Sequence, residues 1–437
     1  MLERVAKLLV SAAVLDDVLY SALVLLVAEP LMLRRRYVAF SPLVLFLFAY
    51  IFVYVAPYYG DLFGGDAWVL KLSSQELDVG VENVRCFFYS WVVGVLFLVP
   101  IYLRRARLES NRFAVVPLGV TVRVVFLMLF VYFLYIGSGV DFNPVLMIDR
   151  MINPRAYTYI KEGFGPLIFI NTCMQLIALF MVLNGFFSTR RKVYLLLLFV
   201  VVSSMILGGG KSQFLMVVIF SALLYQKSGM GGKVTLGKKI GIFALFLLLM
   251  LGAFFSAFVA YGDSDKKADS IDVLSAIVDY QREAYYSAKV AKDFDWDPEF
   301  VLVAVVDTAT AVVPRFLWED KPYFGFYNRY WRPLYEPDTV AYHTTTYGAL
   351  AEGHMVFGGL GPFFYGLLWA FFVALLYRRI LLASKLHTFF ISVYLSCLVY
   401  FFLRAGFLFS TPWNVVIFSG VSYIFLSRLE RRRLGRV

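Results

Sequence analysis

Residues 355–385 read MVFGGLGPFFYGLLWAFFVALLYRRILLASK, an uncharged run as far as Tyr377 that is closed by Arg378, Arg379 and Lys385. A helix needs roughly 20 apolar residues to cross a ~30 Å hydrocarbon core, and the segment 355–377 meets that length. Lysine and arginine next to a span are retained on the cytoplasmic side, so the same run carries an orientation. The whole chain repeats this pattern. Of its 437 residues 61% are hydrophobic and 16% charged, with a mean hydropathy of +0.74, whereas a soluble chain is about half apolar and a quarter charged. These values exclude a soluble enzyme and indicate an all-α, polytopic membrane protein.

Apolar runs predict eleven transmembrane helices, near 8–28, 38–57, 84–102, 113–136, 165–187, 192–207, 212–227, 238–261, 355–377, 386–403 and 406–426. Every second connection is basic: 34–37, 104–112, 189–192, 227–239, 378–385 and the tail after Leu426. These six segments hold 22 of the 41 Lys and Arg, but among the 30 acids only Glu109 and Glu430. The basic side is therefore expected to be cytoplasmic, with the N-terminus outside and the C-terminus inside. No small-residue cleavage site follows the first apolar run, as a signal peptide would require. Asp16 and Asp17 within that run leave two readings open, a full span or an interfacial helix followed by a shorter span.

The chain divides into helices one to eight (1–261), a large external segment (262–350), and helices nine to eleven with the basic tail (351–437). Within the external segment, 271–290 has the spacing of an amphipathic helix lying along the membrane surface, with Asp279, Glu283 and Lys289 off its apolar stripe. Residues 300–317 are apolar enough to resemble a twelfth span. A full crossing there would invert every upstream loop, so a re-entrant or surface-packed helix is expected. Cys86, Cys173 and Cys397 are odd in number and far apart, which suits neither a disulfide framework nor a metal site.

Chemistry is expected on the external side, because the cytoplasmic loops are short and basic. The GGGKS run at 208–212 is not a phosphate loop, since Met205 stands where that motif needs glycine. Lys211 is read either as an anion-binding cation beside exposed backbone N–H groups or as a headgroup anchor. Arg123 falls mid-span, where an isolated arginine faces a cavity or a carboxylate such as Asp16 or Asp17. From Pro314 to Glu352, Arg315, Lys321, Arg329 and Arg332 alternate with eleven aromatic rings between Phe316 and Tyr347. Rings stack on sugar faces and guanidinium forks grip phosphate oxygens, which suits a phosphate-linked sugar; nucleic acid is excluded as a partner by the external position. An interfacial aromatic belt accounts for many of the same residues. Glu352 and His354 stand at the mouth of the ninth span and can supply a general base. His343 and His354 lack the carboxylate spacing of a metal site, and no metal or other cofactor is expected. Arg404 lies at an external turn, as a phosphate ligand or an anchor.

Four segments in this order, GGGK (208–211), PRFLW with DKP (314–322), AEGHMVFGGLG (351–361) and LRAG (403–406), together with the topology, resemble the Wzy family of O-antigen and oligosaccharide repeat-unit polymerases. The likeness covers roughly the last 230 residues. It implies a metal-independent glycosyltransferase on the periplasmic face of the bacterial inner membrane. Undecaprenyl-pyrophosphate-linked glycans would be both donor and acceptor, and a chain-length regulator, a flippase and membrane lipids would be its partners. Glu352, His354 and Arg315 would carry the chemistry; Lys211, Arg404, Arg123, Lys321, Arg329 and His343 would bind pyrophosphate or sugar. Two positions depart from the family pattern, Lys211 in place of arginine and His354 in place of an aromatic residue. An O-antigen ligase, another lipid-sugar transferase or a lipid-oligosaccharide flippase are the competing readings. The paired halves and interrupted midplane helices of a transporter are not found.

Overall fold

The computed structural model describes residues 16–18, 22, 41–58, 71–103, 113, 116–152, 165–207, 211–227, 282–310, 318, 332–335, 347–406 and 412–434. Among them every regular element is helical. The expected span 238–261 and most of 8–28 lie outside these residues. Five helical segments are long and apolar enough to cross a bilayer: Ser74–Leu98, Leu118–Ser138, Leu167–Thr189, Gly348–Leu382 and Leu386–Ala405. Shorter apolar helices cover Pro42–Tyr58, Val193–Met205 and Met216–Tyr225. The chain is an all-α membrane protein.

Local chemistry sets where the helices begin. Helix α1 (Pro42–Tyr50, continuing as a π-helical turn Ile51–Val55) starts with Ser41, whose hydroxyl accepts from Val44 N at 3.3 Å, and with a proline in its first turn. Helix α2 (Ser74–Leu103) is opened by a capping box, in which Ser73 N and Oγ donate to Glu76 Oε2 at 2.6 and 2.7 Å. Helix α3 (Leu118–Ser138) begins directly after Pro117, followed by α4 (Pro144–Ile152), α5 (Gly165–Thr189), α6 (Val193–Leu207) and α7 (Lys211–Lys227). After the large segment come α8 (Glu283–Asp293), α9 (Pro298–Thr310) and the single turn α10 (Arg332–Tyr335). The last group is α11 (Gly348–Phe357), α12 (Gly361–Leu382), α13 (Leu386–Cys397), α14 (Val399–Ala405) and α15 (Pro412–Leu434).

Small residues let α2 and α12 approach closely, since a Cβ on Gly94 would lie 2.5 Å from that of Ala370. Aromatic rings fill the space they share with α1: Phe46 stacks on Trp91 at 4.3 Å, and Tyr50 on Phe87 at 5.4 Å. A second aromatic cluster joins α5, α7, α13 and α15 around Phe390, which meets Phe180 at 4.9 Å, Phe220 at 5.6 Å and Phe418 at 5.8 Å. Large apolar side chains also cover the outside, with Phe97 69% and Phe199 71% exposed. An outer face of this kind is stable against hydrocarbon and costly in water.

The described basic segments gather at one end of the bundle. Lys227 Nζ donates to Leu381 O at 3.3 Å and lies 5.6 Å from the Phe113 ring centroid. Phe187, beside the 189–192 turn, packs on Tyr225 at 5.9 Å. Glu430 accepts from Leu386 N at 3.0 Å and pairs with His387 Nδ1 at 3.0 Å.

The opposite end holds α8, α9 and α11. The amphipathic helix expected at 271–290 is seen from Glu283 onward, residues 271–281 lying outside those described. It docks on α2: a Cβ on Gly80 would sit 2.6 Å from that of Ala288, and Lys289 pairs with Glu76 at 2.9 Å. The face it buries includes Ala288 of the expected stripe but also Glu283, expected off it, which is 0% exposed. Helix α9 overlaps the apolar stretch 300–317 over residues 300–310 and rests against α11, where Ala304 joins a cluster with Tyr286, Val290, Tyr347, Ala351 and Met355.

Candidate functional site

The expected ninth span is carried mainly by α12, and the chain bends sharply just before it. Gly358 takes φ +62° and a short 3-10 turn runs to Leu360, so α11 folds back on the start of α12. Gly353 and Gly361 make that fold possible, since a Cβ on Gly361 would collide with the Gly353 carbonyl. Trp296, between α8 and α9, braces the corner by donating from Nε1 to Val356 O at 3.2 Å.

This fold buries Glu352 fully, at 0% exposure, and brings it next to Tyr365 on α12. The Tyr365 hydroxyl donates to Glu352 Oε1 at 2.9 Å. The other carboxylate oxygen faces Gly406, where a Cβ would collide with Oε2. Gly406 has φ +81°, a conformation that glycine adopts without strain. The AEGH and LRAG segments therefore meet at one place, backbone against carboxylate.

Arg404, two residues earlier, is 17% exposed in its side chain and donates from Nε to Glu283 Oε1 at 2.6 Å. Burying a guanidinium and a carboxylate costs several kcal/mol per ion unless they are paired and hydrogen-bonded, so each requires the other. Tyr54 at the end of α1 ties the remaining strands of the site together. Its hydroxyl donates to Leu403 O at 2.8 Å and accepts from Leu350 N at 3.2 Å. At Gly348 a Cβ would collide with that hydroxyl and lie 3.0 Å from Glu283 Cβ. Two buried carboxylates, a guanidinium and two tyrosine hydroxyls thus share one small region at the end opposite the basic turns.

His354 is buried two residues beyond Glu352, and among the described residues its Nδ1 has no hydrogen-bond partner. Lys211 is the first residue of α7, at the opposite end of that 17-residue helix from Lys227, which lies at the basic end. Arg123 is not brought to this region. It is exposed in the second turn of α3, where its long stem can snorkel. Asp17, one carboxylate considered for Arg123, pairs with Arg85 at 2.6 Å. Arg315, Lys321, Arg329 and His343 lie outside the described residues. Among the described residues no three His, Cys, Asp or Glu side chains group as metal ligands.

Glu283, Tyr54 and Tyr365 were not singled out by sequence. For Glu283 one signal existed, because an external arginine among uncharged spans calls for a carboxylate. Comparison with protein-family models, curated proteins and solved structures returned no match to this chain.

Proposed function

We propose that the protein polymerises undecaprenyl-pyrophosphate-linked oligosaccharide repeat units at the periplasmic face of a bacterial inner membrane. In this reading eleven helices cross the bilayer, the basic end is cytoplasmic, and the end holding Glu352 and Arg404 is periplasmic. The observation that carries it is the contact between Gly406 and the Glu352 carboxylate. It joins two separate segments, one bearing a potential base and the other a potential phosphate ligand.

Transfer breaks the bond between the sugar anomeric carbon and the pyrophosphate oxygen, and forms a bond from that carbon to an acceptor hydroxyl oxygen. The hydroxyl proton passes to Glu352, and undecaprenyl pyrophosphate departs with the electron pair of the broken bond. Tyr365 holds one oxygen of the carboxylate, so its other oxygen has a defined direction, as a general base needs. Glu283 fixes Arg404 through Nε, and a cation held in place before the reaction stabilises developing charge without reorganising. Arg315 and Lys211 would add charge on the same side, Lys321, Arg329 and His343 would contact sugar or phosphate, and His354 is the alternative base.

Deletion of the gene in its own host tests this reading. A polymerase deletion leaves lipopolysaccharide capped with a single repeat, which the wild-type gene restores to a ladder. Carrier-linked ladders that persist in the deletion strain would instead assign ligation.

A further inference from the structure

At the basic end, the turn between α12 and α13 borders an open depression of about 450 Å³. Arg378, Arg379 and Lys385 line it together with the hydroxyl residues Ser384 and Thr388, and no acid is among its lining residues. Glu430 of α15, an acid on an element packed against α13, is engaged by Leu386 N and His387 Nδ1. Arg428 and Arg431 on α15 and Lys227 on α7 add further positive charge at this end. Cations that share one depression raise the local positive potential, which attracts an anion.

The surface above the depression defines what kind of anion fits. Phe364, Leu368, Phe371 and Leu382 are all exposed and recur along α12 at helical spacing, an apolar ridge ending at the depression. Leu375, which also lines the depression, lies on the same ridge. We propose that this depression binds the phosphate headgroup of an anionic phospholipid whose acyl chains lie along that ridge. The cations and hydroxyls meet the phosphate oxygens, and the ridge gives the chains a matched surface; free phosphate uses only the first of these. Basic pockets between membrane helices are suited to such headgroups. The site is distant from the proposed catalytic region and does not depend on it.

The test is native mass spectrometry of the full-length protein released from nanodiscs of phosphatidylglycerol mixed with phosphatidylcholine. The wild type should retain phosphatidylglycerol preferentially. The double variant Arg379→Gln/Lys385→Gln should lose roughly 20-fold of that preference, at about fivefold per cation. The pair Arg379→Lys/Lys385→Arg, which keeps the charge, should retain it and show that the turn folds. Arg191→Gln/Lys192→Gln, at another exposed basic turn, should change it little. Equal losses from the two Gln pairs would reduce the effect to general surface attraction and overturn the proposal. Thermal stabilisation by inorganic phosphate with no phosphatidylglycerol preference would overturn it in favour of a soluble anion.

Discussion

Arg404 Nε donates to Glu283 Oε1 at 2.6 Å across a sequence separation of 121 residues. The bond pins α8, within the large segment, to the last turn of α14. Glu283 is completely buried, so either residue alone would leave a charge in a medium that solvates it poorly.

Separate Glu283→Gln and Arg404→Gln substitutions should each destabilise the protein by about 3–5 kcal/mol, the usual cost of breaking a buried pair. The double variant should lose far less than the sum. A double-mutant cycle on detergent unfolding measures this, and additive losses would mean that the two side chains are not coupled.

Glycine substitutions should separate the corner from its surroundings. Gly406→Ala needs a strained φ and places a methyl on the Glu352 carboxylate; a loss of about 2 kcal/mol or more, together with activity, is expected. Gly359→Ala meets nothing within 4 Å and should leave both nearly unchanged. Equal thermal shifts for the two would contradict the geometry.

Helix positions were legible because uncharged runs of span length leave few alternatives in a membrane. Depth and partnership were not. Arg123 looked mid-span because the apolar window opened at 113, whereas Pro117 delays the helix to Leu118 and leaves the arginine in the second turn, exposed. Glu283 looked like a solvent-facing residue because helical periodicity registers polarity but not a partner contributed from residue 404. The glycines at 358, 359 and 361 permit close backbone approach. That they fold α11 back, and so place Glu352 against both Tyr365 and Gly406, depends on tertiary packing.

Lys289 provides a pH test outside the spans. Its hydrogen bond to Glu76 holds the ammonium above its ordinary value of 10.5. A raised folded-state value means the stabilisation is complete below the unfolded value and disappears as pH rises through the folded one. Lys289→Met should therefore cost about 1 kcal/mol equally at pH 6 and pH 8. A difference between those pH values in calorimetry would contradict the pairing.

The proposed sidedness, with the basic turns cytoplasmic, is tested by labelling. In a background lacking Cys86, Cys173 and Cys397, single cysteines replace two exposed residues at opposite ends, Asp297→Cys and Ser384→Cys. An impermeant maleimide that reaches the periplasm should label the first in intact cells and not the second. The reverse pattern would invert the topology.

Loss of charge at the proposed pyrophosphate site should affect chemistry more than folding. Arg315→Ala should reduce polymer by on the order of 100-fold at normal protein level, and Arg315→Lys should recover part of it, because the charge remains without the fork. Unchanged polymer by gel electrophoresis would remove Arg315 from the site.

Reconstitution tests the central claim most directly. Purified protein in nanodiscs is supplied with its undecaprenyl-pyrophosphate-linked repeat unit, and the lengthened glycans and released undecaprenyl pyrophosphate are followed by mass spectrometry. The wild type should release one carrier for each repeat added without nucleotide, and Glu352→Gln, folded and inserted normally, should release none above background. Elongation by Glu352→Gln at the wild-type rate would contradict the assignment of the base, and no elongation by the wild type would contradict the polymerase itself.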